Sequence, residues 1–111
     1  MDDLLYLYLL FEYYSELLTE RQRDVCDMYI NQNLSLGEIS LNLGISRQGV
    51  RECLVKAEKL LNGYEIKLKM YEKSQKINAA LGKISDVCYR LKDKENAEII
   101  VKLANEIEEL I

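Results

Sequence analysis

The sequence predicts an all-α fold, and three observations predict it. Proline is absent, glycine occurs five times in 111 residues, and Leu, Ile, Glu and Lys dominate, so few positions resist a helix. Apolar residues recur at steps of three and four rather than in alternation. Thr19 with Gln22 and Ser35 with Glu38 repeat the spacing of a capping box, in which each side chain satisfies a free backbone N–H at a helix start. With 49% hydrophobic residues, a chain of this length fills one core, and one structural domain is the expectation.

In a first helix, Leu4, Leu7, Phe11 and Tyr14 form one stripe that Leu5, Leu9 and Leu10 widen, so it is expected to be covered on several sides. Two aspartates precede this apolar run, which has no basic leader and is too short to span a bilayer. It reads as a core or interface helix, without membrane insertion. The Thr19 box opens a second helix over about 20–31, burying Val25, Cys26 and Tyr29 or Ile30. The Ser35 box opens a short third helix that turns Ile39 and Leu43 inward and stops at Gly44.

Ser46 caps a fourth helix, where Val50, Leu54, Ala57, Leu61, Tyr64, Leu68 and Tyr71 alternate steps of four and three. That is a coiled-coil-like seam, expected to run through Gly63 and protrude beyond the core. A fifth helix is expected over about 75–91, with Gly82 allowing close packing or marking a kink. Asp93 caps a sixth, whose broad apolar face of Ile99, Ile100, Leu103, Ala104, Ile107 and Leu110 the fourth helix could cover, within the chain or across a dimer.

The third and fourth helices have the spacing of a helix-turn-helix. Ile39 and Leu43 lie five and one before Gly44, Ile45 follows it, and Val50 and Cys53 lie six and nine beyond, the offsets that lock two helices at a wide angle. Ser40 stands where alanine is usual at the closest approach, and serine is small enough to fit. Ser46, Arg47, Gln48 and Arg51 occupy the start of the recognition helix, on the side away from Val50 and Leu54, where side chains reach base edges.

Charge restricts what this helix can hold. Residues 1–45 carry two Lys/Arg against eight Asp/Glu, residues 46–76 eight against four, and residues 77–111 five against seven. Duplex affinity comes largely from neutralised phosphates, and Arg47, Arg51, Lys56 and Lys59 supply a few such contacts, with Glu52 and Glu58 set among them. A monomer is therefore expected to bind duplex DNA weakly. The alternative for this charge run is a solvated helix face.

Cys26, Cys53 and Cys88 are odd in number and far apart, and the chain has no histidine, so reduced buried thiols in a cytoplasmic protein are expected and no metal or cofactor site is nominated. Without histidine, a glycine-rich phosphate loop or framed carboxylates, nothing nominates an enzyme.

The stretch LLTERQRDVCDMYINQNLSLGEISLNLGISRQGV resembles the DNA-binding fourth region of bacterial sigma factors. The segments LFEYYSELLTERQRDVCDMYINQNLSLGEIS, SRQGV and AEKLLNGYEIKL, followed by a charged helical tail, more closely resemble the YlxM-like (UPF0122) family of small bacterial cytoplasmic helix-turn-helix proteins. The likeness is specific over residues 10–73 and implies a sigma-region-4-like helix-turn-helix with a long fourth helix and two C-terminal helices. Residues 1–74 would form that core with its extended helix, and residues 75–111 a helical tail packed on it.

The resemblance also implies a regulatory or accessory role in the signal recognition particle pathway, through the placement of the family's genes beside those of the particle and its receptor. Candidate partners are then the particle protein, its RNA or the receptor. A sequence-specific transcription regulator and a protein-interaction module remain open alternatives. The apolar first helix, the seam of the fourth and the last helix offer more apolar surface than one small core needs, and a homodimer is expected.

Overall fold

In the computed structural model, which describes residues 4–111, six α-helices and no strand are found among the described residues. They are α1 (Leu4–Tyr14), α2 (Glu20–Ile30), α3 (Leu36–Leu43), α4 (Arg47–Leu68), α5 (Met70–Arg90) and α6 (Lys94–Glu109), with a single 3₁₀ turn, Ser15–Leu17, before α2. The chain divides into two compact units, residues 1–71 and 72–111.

Local chemistry starts α2, α3 and α4. Thr19 Oγ1 accepts from the Gln22 N–H at 3.2 Å and Gln22 Oε1 accepts from the Thr19 N–H at 3.0 Å, closing the box that opens α2. Ser35 and Glu38 repeat it for α3 at 3.1 and 3.0 Å. Gly44 ends α3 in the left-handed region, at φ 67°, where a side chain would be strained. The Ser40 hydroxyl donates to the Ile45 carbonyl across that turn, so the residue that departs from alanine ties the turn shut. Ser46 Oγ then accepts from the Gly49 N–H at 3.0 Å and caps α4.

The core of this unit is the predicted seam of α4 faced by three helices. Val50, Leu54, Ala57 and Leu61 are buried against Leu7, Leu10, Phe11 and Tyr14 of α1, Val25 and Cys26 of α2 and Ile39 of α3. Tyr29, Ile30 and Leu43 are half-buried at its edge. The first helix is covered on one face only: Leu4, Leu5 and Tyr8 are exposed, because α2 and α4 both approach from the side of Leu7, Leu10 and Phe11.

The seam does not run to Tyr71 or protrude, and here the structure corrects the sequence reading. The helix passes through Gly63, as expected, but stops at Leu68, and Lys69 takes the left-handed conformation at φ 54°. The next helix starts at Met70, five residues before the expected Gln75. What makes the break is a buried network: the Tyr14 hydroxyl donates to Glu65 Oε1 at 2.6 Å and accepts from the Met70 N–H at 3.0 Å, while the same Glu65 oxygen accepts from the Tyr71 N–H at 3.0 Å. A carboxylate and a phenol thus satisfy the free N–H groups of α5, where negative charge also suits the helix dipole. Tyr71 packs edge-on to Tyr6 and Tyr13, at centroid distances of 5.8 and 6.1 Å.

In the second unit, Asp93 Oδ1 accepts from the Asn96 N–H at 3.1 Å and caps α6, as predicted. Gly82 lies inside the unbroken helix α5 and receives no close neighbour, since a Cβ placed there meets nothing within 4 Å.

Candidate nucleic-acid interface

The recognition position is the N-terminal half of α4, held by its Ser46 cap and by Val50 and Leu54 beneath it. Arg47, Gln48, Arg51 and Lys56 are all exposed. Each is placed differently. The guanidinium of Arg47 lies over the first turn of α3, where a Cβ added to Gly37 would stand 3.2 Å from its Nε and Nη2. Glycine at 37 keeps that approach open. Gln48 Nε2 donates to Glu52 Oε1 at 3.3 Å, an i,i+4 pair that base contact would have to replace. Arg51 borders a shallow groove of about 170 Å³ lined by Tyr29, Leu36, Leu54 and Val55. Ser46 is exposed but its Oγ is held by the cap, so it positions the helix.

One cation was absent from the sequence-based set. Arg21 of α2 stands close enough to Cys53 of α4, as does Lys56, for both charges to favour the thiolate, although burial outweighs them and pushes the Cys53 thiol up. Arg21 and Lys56 therefore flank one spot on the surface, extending the basic face of α4 onto α2. Its neighbour Arg23 is engaged elsewhere, with its guanidinium on the carbonyls of Ser15 and Leu18 at 3.2 Å. No sequence signal separates these two arginines; only the packing of α2 on α4 does. Cys26, behind Cys53, is pushed up to about 12 by burial and is an unreactive core thiol.

Among the described residues there is no cluster of three metal-ligating side chains, and no helix is long and apolar enough to cross a membrane. The geometry is that of a helix-turn-helix with a modest basic face. Residues 1–101 match a family profile described as "Putative helix-turn-helix protein, YlxM / p13 like". The chain belongs to this UPF0122 family. Its similar relatives include a UPF0122 protein of Thermoanaerobacter sp. (strain X514), 43% identical over 98% of this chain and 97% of its own length. Those of Clostridium kluyveri and Acetivibrio thermocellus are 39% and 36% identical, over 96% and 100% of this chain and 96% and 98% of theirs. The family assignment and the helix-turn-helix geometry agree over the whole first unit.

Proposed function

We propose that the chain is a helix-turn-helix regulatory or accessory protein that contacts nucleic acid through α4 and acts in protein targeting by the signal recognition particle. The observation that carries the nucleic-acid part is the exposed set Arg47, Arg51, Lys56 and Arg21 on a fully capped helix-turn-helix. The targeting part rests on the family and its link to that pathway. Few phosphate contacts on a chain of net charge −4 favour a compact RNA or a protein–RNA particle, where a second surface adds affinity, over a lone duplex.

The test is a salt titration comparing duplex DNA with the particle's RNA, alongside a pull-down with reconstituted particle and receptor. Tighter binding to the RNA or particle supports the proposal, and no enrichment over an unrelated helix-turn-helix control overturns it. Arg51→Ala is expected to weaken nucleic-acid binding and lower the salt slope by about 1.

A second reading, a sequence-specific DNA regulator, is favoured by the exposure of Gln48 and Arg51 in the first turns of α4. Selection from random duplexes at low salt decides it: recovery of a site establishes the reading, and recovery of none ends it. The groove beside Arg51 favours a third, a protein-docking role, which Val55→Glu in its lining tests by abolishing partner binding while sparing nucleic acid.

A further inference from the structure

The second unit places small side chains inside and large ones outside. Its buried residues are Ser74, Leu81 and Cys88 on α5 and Ala97 and Ala104 on α6, each seven positions from the next. Beside that row, Ile77, Ala80, Ile84, Val87 and Leu91 follow at alternating steps of three and four along α5 and just past its end. On α6, Ile100, Leu103, Ile107 and Leu110 do the same, which is the spacing of a coiled-coil seam.

The two seams share a face, because Ile84, Val87 and Leu91 line one groove of about 350 Å³ with Ile100. That face is open: Val87 is 53% exposed, Leu103 53% and Ile107 46%. Its large apolar side chains together present on the order of 600 Å², most of the ~800 Å² that one partner brings to a standard interface.

Charge on the flanks selects the occupant. On the side of its seam away from the buried row, α5 carries exposed Lys76, Lys83 and Arg90, again seven apart, with Glu72 and Asp86 set among them. The corresponding side of α6 carries exposed Glu95, Glu106 and Glu109, with Lys102 between them. We propose that this face binds the same face of a second copy about a two-fold axis parallel to the helices, giving a four-helix bundle in which α5 lies on the partner's α6. The antiparallel run of the helices then brings Arg90 near the partner's Glu95 and Lys76 near the partner's Glu109, and these two end pairs outweigh the level meeting of Lys83 with the partner's Lys102. The other two-fold, α5 on α5, sets basic row against basic row. Lys76, 3.2 Å from Glu72 in one copy, is shared between the two carboxylates.

The interface is independent of the nucleic-acid reading, since it uses no residue of α2, α3 or α4. Sedimentation equilibrium of the full chain at micromolar concentration is expected to give twice 13.0 kDa. The double variant Ile84→Glu with Ile107→Glu should raise the dimer Kd by about 100-fold or more while the helical circular dichroism is kept. Changing Lys76 and Arg90 to Glu should raise it about tenfold, and adding Glu95→Lys and Glu109→Lys to that chain should restore it. A monomeric wild type, or a dimer indifferent to the isoleucine variant, overturns the proposal; so does a Kd unchanged by the α5 reversal, the result expected if like rows meet or another protein covers the face. Should the isoleucine variant fail to fold, the reversals at exposed positions still decide.

Discussion

Residues 4–71 and 72–111 use the same residue types in opposite ways. In the first, α1 closes over the α4 seam, and Leu10, Ile39, Val50 and Leu61 lose all contact with solvent. In the second, Leu81 is the single aliphatic side chain larger than alanine that is buried among the described residues, while seams of equal regularity stay exposed. Periodicity therefore specifies which face is apolar, and only the facing element decides whether that face becomes core. The first unit contains its own facing element. The second leaves its seams facing solvent.

Matched truncations break or confirm this contrast with the largest effect. Leu61→Ala is expected to cost about 2–5 kcal/mol, because α1 and α4 cannot both close on the cavity left behind. Leu103→Ala removes a side chain that is half exposed in one copy and should cost within about 0.5 kcal/mol in dilute protein, with a larger loss appearing as concentration rises. Urea unfolding followed by tyrosine fluorescence reads both. Equal costs at low concentration would mean the second unit has a closed core of its own.

What was legible in the sequence was local. Thr19, Ser35, Ser46 and Asp93 each bond to a residue three positions on, so spacing alone located four helix starts. Gly44 needs only its own φ. The end of α4 was illegible because its cause is not local: Tyr14 and Glu65 are 51 residues apart, and a seam rule that reads every fourth or third residue steps past Lys69. The interface divides in the same way. Arg47, Gln48, Arg51 and Lys56 lie on one helix and can be read from spacing, whereas Arg21 joins them only through the packing of α2 on α4.

That non-local junction is the next test. Glu65→Ala strands the Tyr71 N–H and removes the acceptor of the Tyr14 hydroxyl, and should cost about 2 kcal/mol; Glu65→Gln, which keeps an accepting oxygen, should cost less than half of that. Burial and then the bond to Glu65 raise the Tyr14 pKa above its ordinary 10.0. Its contribution is therefore fully present below pH 10 and lost as pH rises through the higher folded value, where the phenolate would face the carboxylate. Alkaline melts should show this loss, and Tyr14→Phe should flatten it. An unchanged alkaline limb would assign the helix break to Lys69 alone.

Glycines separate backbone demand from packing at about half that scale. Gly44→Ala forces a side chain into the left-handed region and should cost about 1–2 kcal/mol. Gly63→Ala and Gly82→Ala sit mid-helix, one in each unit, where an added Cβ meets nothing within 4 Å, and each should gain up to about 1 kcal/mol. Similar gains in the two units, by thermal melts, would show that they differ in what faces them and not in helix propensity.

The smallest effect compares the two capping boxes. That of α2 closes with a glutamine and that of α3 with a carboxylate, and the Glu38 carboxyl is held below its ordinary 4.5 first by the backbone N–H of Ser35 and then by its hydroxyl. A depressed folded pKa contributes stability that is present above the ordinary value and lost as pH falls through the folded one. Protection of the Ser35 and Glu38 amides, taken against the intrinsic exchange rate at each pH, should therefore fall below pH 4.5 while that of Thr19 and Gln22 does not. Glu38→Gln should remove the difference by giving α3 the neutral box of α2. If protection at Ser35 stays flat in acid, the carboxylate adds nothing to the cap beyond what a neutral amide provides.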